Sequence, residues 1–380
     1  MAKDNFLRLQ SIFFSFLGFE LQQDKEVSHR YPWRIIFFLL SVATFLPLTI
    51  ALGISNIQNV EHLTDALCSA LVDLVAIFKI GFLLWLYADL RHLVKRFRCK
   101  LQSEGQYGDC EAIILAYNKR DLFISALYCL CFLLAGVSAC LMPLLSIFII
   151  YLRTGEVQPE LPFPSVYPWD NKRPLNYLIS YLWSVSAAVG VALPTVCVDT
   201  LFCALTHNLT ALFEIAQLKL MNFMGKSLGE TRENLVHAFQ LYGECLELGQ
   251  SLNGYFRPLI FAKFVVASLH LCVLCFVLST NLMEPAMLFY VAILGQVSIY
   301  CFCGSSVKEE SQQFAQAIYE SSWQQLLQDD VKVARSLQFA MMRAQRGCRI
   351  DGYFFEANRQ TLILIVRSAI SYVALLRSLA

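Results

Sequence analysis

The sequence predicts an all-α, polytopic membrane protein with seven transmembrane helices, a cytoplasmic N-terminus, an extracellular C-terminus and a helical cytoplasmic anchor region. Three observations lead there. The 380 residues are 57% hydrophobic and only 16% charged, against about 25% charged in an ordinary soluble domain. Seven stretches approach the ~20 apolar residues that a spanning helix needs. Lys and Arg crowd the loops that lie on one side of those stretches.

The elements follow in chain order. The apolar run 12–19 is short, ends at Glu20 and has no small-residue cleavage site after it, so it is expected to be an interfacial helix on the cytoplasmic leaflet and not a signal peptide. Five stretches contain no Asp, Glu, Lys or Arg: 35–55, 122–152, 174–198, 264–283 and 285–307. Two more carry charge, 66–88 with Asp73 and Lys79, and 360–380 with Arg367 and Arg377. Backbone groups in lipid must be satisfied within the segment, so all seven are helices. With the N-terminus inside, the inner segments hold 22 Lys and Arg and the outer loops hold three, which sets the orientation. The organisation is then a cytoplasmic N-terminus with its interfacial helix (1–34), spans one to four (35–205) with an extracellular lid loop (153–176), a cytoplasmic helical loop (206–257), spans five and six (258–307), cytoplasmic anchor helices (308–357) and the last span (358–380). The sequon Asn208-Leu209-Thr210 falls inside and is expected to carry no glycan.

Both long inner segments read as amphipathic helix. Leu235, Phe239, Tyr242 and Leu246 share a face, as do Phe314, Ile318, Trp323, Leu337, Met341 and Ala344 in their respective runs. They either lie on the membrane or extend the spans inward as a bundle. Their acidic, Gln-rich outer faces (Glu309, Glu310, Glu320, Asp329, Asp330) favour the bundle, because a helix on an anionic leaflet should be basic. Outside, Pro159, Pro162, Pro164, Pro168 and Pro174 make the lid rigid and non-helical, with Phe163, Tyr167 and Trp169 to pack it down.

Little supports catalysis. There is no HExxH, no GxSxG elbow and no EF-hand loop, and Gly225-Lys226-Ser227 lacks the leading Gly of a phosphate loop. Most of the 14 cysteines lie in apolar runs, so the CxxC of Cys272 and Cys275 is read as helix packing. No cofactor and no metal is expected. The orientation argues against a rhodopsin-type receptor, and the third span ends Tyr151-Leu152-Arg153 in place of that class's acidic-Arg-Tyr triplet.

The C-terminal part is more specific. It contains Gly295-Gln296, Tyr300-Cys301, Gly304, Ser311, Ala317-Ile318-Tyr319, Trp323, Met341-Met342-Arg343-Ala344-Gln345 and Ser371-Tyr372-Val373-Ala374-Leu375-Leu376-Arg377-Ser378. This resembles the hallmark end of insect odorant receptors. Leu161-Pro162-Phe163 and Tyr167-Pro168-Trp169-Asp170 resemble the outer loop of that family, and Asp199, His237 and Tyr242 also fit. Gustatory receptors share the layout but usually end in a Thr-Tyr…Gln-Phe pattern, and the co-receptor's long insertion after the fourth span has no room in 199–263. The resemblance therefore implies an odour-tuned subunit, with a gustatory-type channel or a metabotropic seven-helix receptor as alternatives.

It further implies a heteromeric, tetrameric cation channel formed with the co-receptor in the plasma membrane of olfactory neurons, gated by a small volatile ligand, with lipid around it and no nucleic acid. The seventh helices would line the pore. Ser371, Leu375, Ser378 and Leu379 share one face, and the family's gate falls on Leu375 and Leu379, where apolar rings exclude water. The ligand is expected among the outer halves of spans two, three, four and six, near Val72, Val75 and Ala76; Ser138, Met142 and Leu145; Trp183 and Ala187; and Phe289 and Tyr290. Lys79 is expected to snorkel toward the inner interface, and Arg367 to pair with a neighbouring helix, with Asp199 as its partner.

Overall fold

The computed structural model describes residues 6–21, 33–57, 60–106, 108–155, 160–163, 165–280, 286–321, 323 and 331–379. Helices α1 (Arg8–Leu17), α2 (Trp33–Ser55), α3 (Val60–Glu104), α4 (Gly108–Thr154), α5 (Pro174–Met221), α6 (Leu228–Thr280), α7 (Ala286–Glu320), α8 (Val331–Gln345) and α9 (Arg359–Leu379) run through them. Among the described residues the only strand-like pairing is an isolated antiparallel bridge between Asp351 and Glu356. Among the described residues, six helices, α2 to α7, contain stretches long and apolar enough to cross a membrane. The 21-residue α9 is about 32 Å long, close to the ~30 Å of a hydrocarbon core. The junction of the expected spans 264–283 and 285–307, residues 281–285, lies outside the described residues.

The expected spans 35–55 and 360–380 match α2 and α9 almost end to end, whereas the other five prove to be parts of longer rods. Helix α6 has 53 residues, about 80 Å, far more than a bilayer core requires. The inner "loops" are mostly the continuation of α3, α4, α5, α6 and α7. The faces read as amphipathic pack into the bundle: Leu235, Tyr242, Phe314, Ile318, Leu337 and Ala344 are all buried, although Tyr319 is exposed. Tyr242 stacks on Phe314 at 4.0 Å between centroids and its hydroxyl donates to the Ser311 carbonyl at 3.1 Å. The Gly225-Lys226-Ser227 segment is a helix cap. Ser227 precedes α6, its Oγ accepts the Glu230 amide at 3.2 Å, and the Glu230 carboxylate accepts the Lys226 amide at 2.8 Å.

Helix α5 is the axis of the bundle, packing against α1, α2, α3, α4, α6 and α7. From Pro194 to Leu212 every residue is buried. Helix α4 is the opposite case: it turns Leu122, Phe123, Leu130, Leu133, Leu134, Leu141 and Phe148 outward, the composition that lipid demands. Helix α1 does not simply rest on a surface. Phe14 and Leu17 are buried, and Gln10 Nε2 donates to the Thr200 carbonyl (3.2 Å) and to Asp121 (3.3 Å), while Ile12 and Phe16 stay exposed.

An irregular clamp, residues 346–358, joins α8 to α9. Ala357 N–H donates to the Ile350 carbonyl at 2.8 Å, Asp351 accepts from Asn253 Nδ2, and Glu356 takes Lys308 (2.7 Å) and Arg349 (3.0 Å). Phe355 stacks on Phe264 at 5.0 Å. Asn358 Oδ1 accepts the Thr361 amide at 2.8 Å and starts α9. The clamp lies so close to α7 that a Cβ on Gly304 would collide with the Ala357 carbonyl.

Gly304→Ala should therefore cost about 1–3 kcal/mol through overpacking. The check is the thermal midpoint of detergent-solubilised protein by fluorescence-detected gel filtration. Gly295→Ala, on the same helix with open space around it, should keep or raise the midpoint.

Candidate functional site

The C-terminal end of α2 and the N-terminal end of α5 are covered by the lid loop. Tyr167 is buried in a cluster with Phe45 and Ala187, against which Leu48, Leu161, Phe163 and Trp183 pack. The Tyr167 hydroxyl donates to the Ser180 carbonyl at 3.1 Å, and Trp169 Nε1 donates to Ser180 Oγ at 2.9 Å. Ser180 Oγ in turn donates to Asn171 at 2.8 Å, and the Val166 amide reaches the Leu48 carbonyl at 3.3 Å. Among the described residues of the loop, Pro162 and Pro168 fix φ, and these hydrogen bonds hold Val166, Tyr167 and Trp169 in place without regular secondary structure.

The expected ligand-lining residues do not form one set in this arrangement. Trp183 and Ala187 belong to the lid cluster, with Trp183 Nε1 donating to Thr44 Oγ1 at 3.2 Å. Ala76 is fully buried on α3, and Val72 and Val75 beside it are half-buried. Ser138 is half-buried and donates to the Ala135 carbonyl. Met142 and Leu145 lie on the exposed face of α4, Phe289 is exposed, and Tyr290 packs partly against the main core. Two polar atoms of these outer halves are buried and have no hydrogen-bond partner among the described residues: Asp73 Oδ2, on the same face of α3 as Ala76, and Ser184 Oγ, on the same face of α5 as Ala187. Asp73 stood out in the sequence as a charge within a span, without a role, whereas Ser184 gave no signal.

Beneath this region lies a buried charge cluster. Asp199 on α5 accepts Lys79 Nζ of α3 at 2.9 Å and Lys263 Nζ of α6 at 2.8 Å. The Tyr128 hydroxyl of α4 (2.6 Å) and the Tyr300 hydroxyl of α7 (2.8 Å) donate to the same carboxylate. Tyr300 is held flat against Phe202 at 4.3 Å, and Lys263 Nζ sits 4.1 Å from the Tyr300 ring centroid. Five helices thus converge on one side chain. Two expectations are corrected here. Lys79 does not snorkel: it is fully buried, because the opposite charge beside it offsets the cost of leaving water. Asp199 is not the partner of Arg367, which is exposed on α9; its carboxylate is already occupied by two amines and two phenols. Lys263 was hidden from sequence analysis by its place just before an uncharged span. The signal available was Tyr128 and Tyr300, hydroxyl-bearing rings within otherwise apolar runs.

At the far end of α9, Ser371 is exposed. The side chains of Leu375, Ser378 and Leu379 lie outside the described set.

These features define a multi-pass α-helical membrane protein whose long rods are closed at one end by a packed loop and tied together by a buried carboxylate. Residues 59–370 match the family model described as the seven-transmembrane odorant receptor, and the chain belongs to that odorant receptor family as an odour-tuned member, not the co-receptor. It is 60% identical over 374 residues to putative odorant receptor 98b of Drosophila melanogaster, covering 97% of each chain. It is 38% identical to odorant receptor 47a of the same fly, covering 99% of each. Its fold matches the solved insect olfactory receptor OR5 of Machilis hrabei with a TM-score of 0.77 over 98% of both chains, at 15% identity.

The charge cluster makes a sign-specific prediction. At formal charge it carries two cations and one anion, so Asp199→Asn leaves two buried cations and should cost about 3–5 kcal/mol. Lys263→Met leaves a balanced pair and should cost clearly less. Yield and monodispersity of the two variants in detergent read the difference.

Proposed function

We propose that this chain is the odour-binding subunit of a heteromeric, odorant-gated, non-selective cation channel, assembled with the odorant receptor co-receptor in the plasma membrane of olfactory sensory neurons. The observation that carries the reading is the whole-length match to odorant receptors, joined to a fold shared with an insect olfactory receptor that has also been solved with eugenol. The N-terminus is placed inside and the C-terminus outside on the distribution of Lys and Arg, and α9 is the seventh span. Residues 206–257 and 308–357 are the inner parts through which subunits associate. A groove of about 350 Å³ between α6, α7 and α8, lined by Phe239, Tyr242, Leu246 and Phe314 among others, supports that assignment.

The ligand is a small, mostly apolar volatile held in the outer halves of α3, α4, α5 and α7, near the expected residues. The unpartnered Asp73 Oδ2 and Ser184 Oγ offer the one or two polar contacts that orient it. A ligand of about ten heavy atoms at roughly −0.5 to −0.8 kcal/mol each binds with about −5 to −8 kcal/mol, which is micromolar. It opens the channel only by binding the open state more tightly than the closed one. Leu375 and Leu379 close the pore by excluding water, and Ser371 and Ser378 hydrate the ion once it opens.

Co-expression with the co-receptor and an odorant panel should give ligand-dependent cation current that persists when G-protein signalling is blocked; a response abolished by that block supports a metabotropic receptor in its place. In the same recordings, Leu375→Ser and Leu379→Ser should raise the current measured without odorant at least several-fold. A basal current unchanged in both variants contradicts the gate assignment.

A further inference from the structure

One turn inward from Asp199, α5 and α7 bring together a set of side chains that packing alone does not require. Cys203 and His207 are four residues apart on α5 and so share a face. Cys203 Sγ lies 3.3 Å from His207 Nδ1, and Cys303 Sγ of α7 lies 3.9 Å from Cys203 Sγ. All three potential ligand atoms fall within 4.8 Å of one another, and all three residues are buried. Asp121 Oδ1 of α4 stands 3.7 Å from the same nitrogen, His207 Nδ1. That carboxylate is itself held by Ser125 Oγ at 3.2 Å and Gln10 Nε2 at 3.3 Å.

We propose that Cys203, His207 and Cys303 form a binding site for a thiophilic metal ion, Zn²⁺, that joins α5 to α7. The spacing suits such an ion. With Zn–S of about 2.3 Å and Zn–N of about 2.0–2.1 Å, tetrahedral coordination sets S···S near 3.8 Å and S···N near 3.5 Å. The observed 3.9 and 3.3 Å are close to those edges before any ion pulls the ligands into place. Two sulfurs and an imidazole are also the donor set a borderline-soft dication prefers over Mg²⁺ or Ca²⁺. On binding, both thiols lose their protons and the two thiolates neutralise the ion, which makes it tolerable in a buried site. The fourth position is left to water beside Asp121, whose carboxylate accepts a hydrogen bond from it.

The alternatives fit less well. A disulfide needs its sulfurs at about 2.05 Å, and two thiols that merely fill space have no need of an imidazole nitrogen and a carboxylate beside them. The site lies one residue before Gly304, where α7 touches the clamp that leads into α9. An ion there fixes the inner end of α7 to the central helix at the root of the last span. The cluster escaped the sequence because its ligands come from two helices almost a hundred residues apart.

The test uses the full-length chain, purified under reducing conditions in nanodiscs, equilibrated with Zn²⁺ and then washed. Elemental analysis should find about one Zn²⁺ per chain, and Co²⁺ loaded in its place should give an intense near-ultraviolet thiolate-to-metal band. Cys303→Ser should lower the Zn²⁺ content at least ten-fold and remove the band, whereas Cys272→Ser should leave both intact. X-ray absorption on the wild-type chain needs no variant to fold, and should show two sulfurs near 2.3 Å and a nitrogen near 2.0–2.1 Å. Wild-type chain that retains less than about a tenth of an equivalent, a Zn²⁺ shell of oxygen and nitrogen only, or a Cys203–Cys303 disulfide in the intact mass overturns the proposal.

Discussion

Asp199 is the constraint on which the rest of the bundle depends. A carboxylate this deeply buried costs several kcal/mol to desolvate, and that cost is met only if opposite charge and hydrogen-bond donors arrive from several directions at once. Lys79, Lys263, Tyr128 and Tyr300 supply them from four helices other than its own. The depth and rotation of α3, α4, α6 and α7 relative to α5 are therefore coupled. Apolar packing in a membrane is permissive about register, because lipid is as apolar as leucine; an ion cluster is not. The polar layer gives this bundle a specificity that its leucines cannot.

The position of the layer matters for function. Above it are the lid and the outer halves of the helices, where an apolar ligand is proposed to bind. Below it are the continuous inner rods, the 346–358 clamp and the start of α9. Because α3, α5, α6 and α7 pass through the cluster as unbroken helices, a change in their spacing above the layer is carried below it by rigid elements and not by loops. This is the kind of connected, discrete network that coupling between separate sites uses. The amount of coupling is limited by the ligand's differential affinity for the two states.

Much of the architecture was legible in the sequence. Uninterrupted apolar runs marked the spans, and the i, i+4 pattern of Leu235, Phe239, Tyr242 and Leu246 marked an inner helix face that is now seen packed against the core. Prolines marked the lid. Less was legible where the determinant is a meeting of distant residues. Lys79 and Asp199 each read as an isolated charge with several possible fates, and Lys263 sat at a boundary where a basic residue attracts no notice. The clamp was invisible because Asp351 and Glu356 form a bridge, and Tyr353 adopts a left-handed φ of 68°, in a segment with no periodicity to announce it. Pocket residues were the least legible, since Met142 and Ala187 are equally apolar on paper although one is exposed and the other buried.

The central claim is that charge balance around Asp199, and not the shape of the side chains there, holds the bundle in register. It is tested most directly by removing the charges together. Asp199→Asn combined with Lys79→Met and Lys263→Met leaves a neutral cluster in which residue 199 still accepts the two tyrosine hydroxyls. Its thermal midpoint, compared with wild type and with Asp199→Asn alone, is the decisive number. The account predicts recovery to within a few degrees of wild type, because replacing a whole buried ionic group by apolar side chains is often neutral or better. A triple variant as damaged as the single one, or a single variant as stable as wild type, contradicts it.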